Sequence, residues 1–264
     1  MRRHQGGFRE RVVRLPSCMA GAHETTDGAS LQGEAREAYV EAMFDRISAP
    51  YDRLNRIISL GRDPAWRRLA VKMGAIGPGS RVLDLGTGTG DLAEIIAETV
   101  GPEGRVLGLD LSEGMLSVAR VKLKRRGFAH ASVRKGNARE TGETADAWDA
   151  VTMGWVLRNV GDRPATYEEI LRVLKPGGRL VVLDCSKPDN PIMRFGFWIY
   201  LRTVMPLLIR FLHGDGDAYR YLKESTEKFL TPNELTAELT RAGFSKVVCR
   251  KLMGGSMAIH VATR

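Results

Sequence analysis

Between residues 81 and 185 short apolar runs alternate with stretches of helical periodicity, and this restricts the chain to few folds. "RVLDLG" (81–86) reads as a buried strand, "GDLAEIIAETV" (90–100) as a helix stopped by "GPEG", and "RVLGLD" (105–110) as the next strand. Ser112 is placed to cap a helix that runs over Met115, Leu116, Ala119 and Leu123 to a stop at Gly127. "ASVRKG" (131–136), "WDAVTMG" (148–154) and "RLVVLDC" (179–185) supply three further strands. Before the last of them, "RPATYEEILRVL" (163–174) forms a helix ended by Lys175-Pro176-Gly177-Gly178. Strands separated by helices must pair in parallel through crossovers, so a doubly wound α/β sheet is expected. A later helix opens at Thr231, with Pro232 at its first position and Glu234 completing a capping box, and ends near Gly243. "SKVVCRKL" (245–252) and "SMAIHVAT" (256–263), joined through Gly254-Gly255, read as an antiparallel hairpin. The expected architecture is a mostly parallel seven-stranded sheet closed by that hairpin.

Outside this region the patterns change. Residues 1–36 lack periodicity, and Arg2, Arg3, Arg9, Arg11 and Arg14 oppose only Glu10 there. The segment reads as a mobile basic tail, with an organellar presequence as the alternative; no apolar stretch near Met1 suits a secretory signal. Residues 37–264 are expected to form one domain. Its first part carries Leu54, Ile57, Ile58 and Leu60, then Trp66, Leu69 and Ala70, in short amphipathic helices broken at Pro50, Gly61 and Pro64. "PIMRFGFWIYLRTVMPLLIRFLHG" (191–214) is the most apolar segment, interrupted by Arg194, Arg202 and Arg210 and kinked at Pro206. Its uncharged runs are far shorter than the roughly 20 residues of a spanning helix. Residues 191–230 are expected to form a substrate lid, an apolar insertion or a surface lying in the bilayer interface; an inserted core helix pair or a dimer contact is the plainer alternative. The three cysteines, Cys18, Cys185 and Cys249, are widely spaced and fit a reducing cytosol.

The glycine loop carries the chemistry. "VLDLGTGTGD" places Gly86, Gly88 and Gly90 between a strand and a helix, where backbone can approach a ligand closely. A dinucleotide site wants GxGxxG; this loop is GxGxG followed by Asp91, with Asp84 before it. Two acids repel a pyrophosphate and suit a cationic ligand. Asp110 ends the second strand about 20 residues beyond the loop, where a carboxylate accepts both hydroxyls of a ribose. Asn137 and Ala138 follow the third strand, in position to meet an adenine edge. The plainer alternatives make Asp84 a turn cap and Asn137 a turn residue.

These features together resemble the class I S-adenosylmethionine-dependent methyltransferases. "MFDRISAPYDRLNRIISLGRDPAWRR", "GLDLSEGML", "WVLRNVGDRP", "RVLKPGGRLVVLD", "YRYLKES" and "GGSMAIH" narrow the resemblance to the ubiquinone/menaquinone biosynthesis C-methyltransferase family, from about Met43 to His260. The resemblance implies S-adenosylmethionine as cofactor, contacted by Tyr51, Asp84, Gly86, Gly88, Thr89, Gly90, Asp110, Leu111, Met115, Asn137, Ala138 and Gly154. It implies a prenylated quinol as substrate, with Asn55, Trp155, Tyr219 and Tyr221 in its site, and no metal. Three departures stand out. Gly154 takes the place of a usual serine or similar polar residue, Trp155-Val156 replaces an aromatic-Gly pair, and "ARETGETADAW" lacks a Leu-Pro-Phe run.

Methylation of a ring carbon requires an electron-rich ring, hence an ionised neighbouring hydroxyl and an aligned displacement. Arg158 and Asn159 are the expected catalytic pair. A guanidinium with a pKa above about 12 is a poor base, so Arg158 is expected to stabilise a phenolate or hold a proton-accepting water. The structural alternative pairs Arg158 with Asp110 or Asp162. His213 is the histidine placed best for a general base, and His260 is expected to be structural. The net charge of +9 suits an anionic membrane surface, but no basic tract with interleaved aromatics points to nucleic acid. The expected location is cytoplasmic, on the inner face of the membrane, and a homodimer is compatible. The rival functions are a small-molecule methyltransferase of specialised metabolism, an NAD-dependent oxidoreductase and a non-catalytic partner in a quinone-synthesis complex.

Overall fold

Seven strands form one sheet in the order β3-β2-β1-β4-β5-β7-β6. The computed structural model describes residues 28–207 and 215–264. The Arg-rich opening segment, Cys18, Arg210 and His213 lie outside the described residues. The first five strands are β1 (Arg81–Leu85), β2 (Arg105–Asp110), β3 (Ala131–Lys135), β4 (Trp148–Gly154) and β5 (Leu174–Cys185), and their mutual pairings are parallel. β6 (Ser245–Leu252) and β7 (Met257–Thr263) form the expected antiparallel hairpin, with β7 inserted against β5. Lys175-Pro176-Gly177-Gly178 is not a loop before β5 but part of it. The pairing register shifts between Trp148 and Ala150, which absorbs those residues into the strand.

The inner strands β1, β2, β4, β5 and β7 are buried on both faces, as flanking helices require, while the edge strands β3 and β6 are largely exposed. Val82 of β1 joins an apolar cluster with Val71, Leu92, Ile96 and Val106, whereas Leu83 and Leu85 join Met153, Ile170 and Leu239 on the opposite side. The first cluster is covered by α3 (Asp63–Met73) and α4 (Asp91–Val100), the second by α6 (Arg163–Val173) and α9 (Pro232–Arg241). α5 (Glu113–Arg126) packs on β3 and is capped by Ser112, whose hydroxyl accepts the Met115 N–H at 3.1 Å. Pro64 begins α3 rather than breaking a helix, the position where a missing N–H goes unnoticed.

Order begins earlier than residue 37. α1 (Gly33–Ile47) and α2 (Tyr51–Ile58) lie across the carboxyl end of the sheet. Asp45 Oδ1 accepts from Ser112 Oγ at 2.5 Å and Gly114 N–H at 3.0 Å, Lys135 pairs with Glu41, and Arg139 pairs with Glu37. These contacts fasten α1 over the loops that follow β2 and β3. α7 (Pro191–Ile199) continues through a π-helical turn, Tyr200–Val204, and faces α8 (Gly216–Lys228). The kink expected at Pro206 is taken up by that wider turn, which relieves the ring of the carbonyl one turn earlier.

The capping box of α9 is complete: the Thr231 hydroxyl accepts from Glu234 N–H, and the Thr231 N–H donates to Glu234 Oε2 at 2.7 Å. Thr231→Ala should lower stability by about 1 kcal/mol, read as a fall in the urea midpoint with an unchanged slope.

Candidate active site

Strand order reverses between β1 and β4, and ligands of open α/β sheets bind beyond the carboxyl ends of strands at such a point. Gly86 has φ +64 and Gly88 φ +57, values open to glycine without strain. A Cβ on Gly86 would come within 2.3 Å of the Val156 side chain, so glycine is required there on steric grounds too. The loop brings the Gly88 N–H to Asp110 Oδ2 at 2.7 Å, while the Ser112 N–H reaches Oδ1 at 2.9 Å. Two amides thus fix the carboxylate while leaving lone pairs for a vicinal diol. Burial raises the Asp110 pKa, and its amide donors offset part of that rise.

A cavity of about 100 Å³ opens above this carboxylate. Tyr51, Gly86, Gly88, Asp110, Leu111, Met115, Asn137, Ala138 and Gly154 line it, as do Trp155, Val156 and Asn159. Three expected contacts stand off its wall. Asp84 is sealed behind β1, where its Oδ1 accepts the Thr152 hydroxyl at 2.5 Å. Thr89 turns away to donate to Asp52 Oδ1 at 2.5 Å. Gly90 caps α4, and a Cβ there would lie 3.0 Å from that of Ala119. These three shape the loop rather than face the cavity. Asn137 lines it, but its amide donates to Glu37 Oε2 at 2.9 Å and its Oδ1 accepts the Arg139 N–H.

A second cavity, about 600 Å³ and mainly apolar, adjoins the first. Phe44, Tyr51 and Trp155 line both. All four expected substrate residues, Asn55, Trp155, Tyr219 and Tyr221, line the larger one. Leu54, Ile58, Phe197 and Leu201 supply apolar wall. Cys185 also faces it, but burial pushes its thiol up to about 11, so it is protonated at neutral pH.

The adjacent residues Arg158 and Asn159 divide between the cavities: Arg158 lines the larger, Asn159 the smaller. A short 3-10 turn, Leu157–Asn159, produces this split. Neither Asp110 nor Asp162 pairs with Arg158. Its partner is Asp184 of β5, at 2.6 Å from Nη1, and the same nitrogen donates to the Trp155 carbonyl at 2.9 Å. Burial disfavours the Arg158 charge, but the Asp184 carboxylate outweighs that and holds its pKa above the ordinary value. Asn159 accepts the Tyr221 hydroxyl at 3.2 Å and donates to the Trp155 carbonyl at 3.3 Å. The Tyr219 hydroxyl donates to the Leu201 carbonyl, tying α8 to the π-helical turn. His260 is buried, with Nε2 at 2.9 Å from the Pro232 carbonyl, and its pKa is lowered by burial, in keeping with a structural role.

Sequence reasoning missed α1. Glu37, Val40, Glu41 and Phe44 all line the smaller cavity. Their spacing, two acids and two apolar residues on one helical face, was the available signal. The lining fits S-adenosylmethionine in chemistry: Asp110 for the ribose diol, glycine backbone beside it, and Glu37 and Glu41 for a cationic ligand. In size the cavity, about 100 Å³, is smaller than the roughly 300–1,000 Å³ typical of ligand sites.

A doubly wound seven-stranded sheet with a glycine loop and a buried acid, Asp110, at the switch point is the architecture of a class I S-adenosylmethionine-dependent methyltransferase. The sequence model of the ubiE/COQ5 methyltransferase family matches residues 32–264, and the chain belongs to that family. It is 39% identical over 237 residues to the demethylmenaquinone methyltransferase of Symbiobacterium thermophilum, covering 88% of this chain and 94% of the relative. The protein of that name from Lactococcus lactis is 38% identical, covering 88% and 92%. Among solved structures, a SAM dependent methyltransferase from Aquifex aeolicus superposes with TM-score 0.55 at 21% identity, covering 75% of this chain and 88% of that one, a likeness of fold.

Burial, partly offset by the hydrogen bond from Thr152, raises the Asp84 pKa from 3.8 to about 6. The protonated form is the one the fold favours, so this contribution to stability is present below the ordinary carboxylate pKa and is lost as pH rises through about 6. The loss is on the order of 3 kcal/mol. Asp84→Asn should therefore gain stability relative to wild type as pH rises from about 4 to about 7, read by thermal melts across that range.

Proposed function

We propose that this enzyme transfers the methyl group of S-adenosylmethionine to a ring carbon of demethylmenaquinol, a prenylated naphthoquinol. The observation that carries the reading is the pair of adjoining cavities: a small polar one over Asp110 and a large apolar one, sharing Phe44, Tyr51 and Trp155. The names of the relatives favour a naphthoquinol over a benzoquinol. A small-molecule acceptor would need no apolar space of about 600 Å³.

When bound, S-adenosylmethionine supplies an electrophilic methyl. The protein's part is alignment and charge. Asp110 and the glycine loop hold the adenosyl half, and Tyr51, Phe44 and Trp155 form the passage between the cavities. Arg158 keeps its positive charge against burial because Asp184 compensates it. Both of its contacts come from Nη1, so the guanidinium retains donors for a quinol oxygen that ionises as the ring carbon attacks. Asn159, held by Tyr221 and the Trp155 carbonyl, orients groups on the cofactor side.

The substrate's prenyl tail implies delivery from lipid. Ile192, Phe195 and Leu207 are largely exposed along the helix whose Ile192, Met193 and Phe197 also line the cavity. Arg194 and Arg202 flank this strip, a composition suited to an anionic bilayer surface. No helix among the described residues is long and apolar enough to cross a membrane.

Purified protein given S-adenosylmethionine and a short-tailed demethylmenaquinol should yield a product heavier by one methyl; a quinol of unchanged mass would refute the reading. Asp110→Ala should lower cofactor affinity by about two orders of magnitude in calorimetry, given the loss of a buried charged hydrogen-bond acceptor. Arg158→Ala should cut turnover at least about a hundredfold with a much smaller effect on cofactor affinity; equal losses would make Arg158 a strut. Phe195→Asp should weaken sedimentation with phosphatidylglycerol vesicles while leaving turnover of a detergent-solubilised quinol intact, and unchanged vesicle binding would remove the membrane assignment.

A further inference from the structure

The backbone of Trp155 has φ +60, a left-handed conformation that is rare for a bulky aromatic residue. It sits at the tip of β4, where the sheet ends and the 3-10 turn begins. Its N–H is committed to the Leu183 carbonyl at 2.7 Å. The left-handed turn directs its own carbonyl to two donors, Arg158 Nη1 at 2.9 Å and Asn159 Nδ2 at 3.3 Å. The strained residue is thus the common anchor of the proposed catalytic pair. Its ring lines both cavities.

The Trp155 ring has a buried cation over its face. The Arg67 guanidinium lies 4.5 Å from the ring centroid. Arg67 is only 6% exposed, and it is held from behind by Asp63 at 3.3 Å and Asp91 at 3.9 Å. A cation of this kind, partly desolvated, attracts an aromatic face more strongly than an exposed one. The neighbours of Trp155 make room for the arrangement. A Cβ on Gly154 would lie 3.2 Å from Leu92 and 3.9 Å from Arg67, and Val156 packs on the bare backbone of Gly86. The run Gly154-Trp155-Val156 is therefore a wall shaped around Arg67 on one side and the glycine loop on the other.

We infer that Arg67 is a positioning residue for methyl transfer: by stacking on Trp155 it stabilises the left-handed turn whose carbonyl orients Arg158 and Asn159 between the two cavities. Arg67 itself need touch neither reacting atom. The inference rests on the proposed methyl transfer for its kinetic arm, but not for its spectroscopic one.

Arg67→Met keeps the length of the side chain and removes the cation, and Arg67→Lys keeps the charge and removes the planar stack. In Arg67→Met, kcat should fall about tenfold while the dissociation constant for S-adenosylmethionine changes less than about threefold, because misplacement of catalytic groups acts on the transition state. Arg67→Lys should fall between the two. In a Trp155→Leu background, Arg67→Met should cause no further loss of kcat. The fluorescence contributed by Trp155, taken as the difference between each protein and its Trp155→Phe counterpart, should shift when Arg67 becomes Met. A kcat equal to wild type, a parallel loss of cofactor affinity, or the same loss of kcat with and without Trp155 would overturn the inference and leave Arg67 a strut between α3 and α4. If Arg67→Met does not fold, Arg67→Lys carries the same comparisons. If wild type methylates no quinol, the substrate reading fails, and the Trp155 difference spectrum still decides whether the stack exists.

Discussion

The buried ion pair between Arg158 and Asp184 is the interaction on which the site depends. Both side chains are almost fully enclosed, and Asp184 also accepts the backbone N–H of Arg158. The pair joins the turn after β4 to the end of β5, two parallel neighbours whose tips would otherwise diverge. Removing one partner of such a pair strands the other charge, at a cost of about 3–5 kcal/mol. The lids dock onto the same turn. Arg36 of α1 donates to the Arg158 carbonyl at 2.5 Å, and Tyr221 of α8 donates to Asn159. Elements from opposite ends of the chain thus converge on two consecutive residues, Arg158 and Asn159, just beyond a strand tip.

The sheet was legible in the sequence because its signals are local. Glycine punctuation, apolar runs of strand length and the Thr231 capping box each depend on neighbouring residues, and the order of strands and helices follows from them. The lining of the larger cavity was legible for a different reason: Asn55, Trp155, Tyr219 and Tyr221 lie in motifs that resemble a known family, and all four meet there. What could not be read was partnership across the fold. Asp184 looked like an ordinary strand residue, and only parallel packing of β4 on β5 brings it to Arg158. Arg67 follows Trp66 in a stretch legible only through its apolar residues Trp66, Leu69 and Ala70, and nothing local ties it to Trp155. Thr89 and Asp84 match the motif, yet the turn aims them at Asp52 and Thr152 instead of the cavity.

The N-terminal helices show the same lesson in reverse. Their weak periodicity hid α1 at the edge of a segment read as a tail, because its stability comes from contacts made far away in sequence. Glu37 meets Asn137 and Arg139, Asp45 meets Ser112 and Gly114, and Asp52 meets Thr89 and Lys122. Helices of this length gain most of their stability from packing rather than propensity. Here much of the packing surface is the ligand site itself.

α1 supplies Val40 and Glu41 to the smaller cavity, Met43 and Ile47 to the larger, and Phe44 to both. One helix is therefore a wall of two rooms. Any shift in the seat of that helix therefore reshapes both rooms at once, and the fit of the polar room and the fit of the apolar one are tied through a single element.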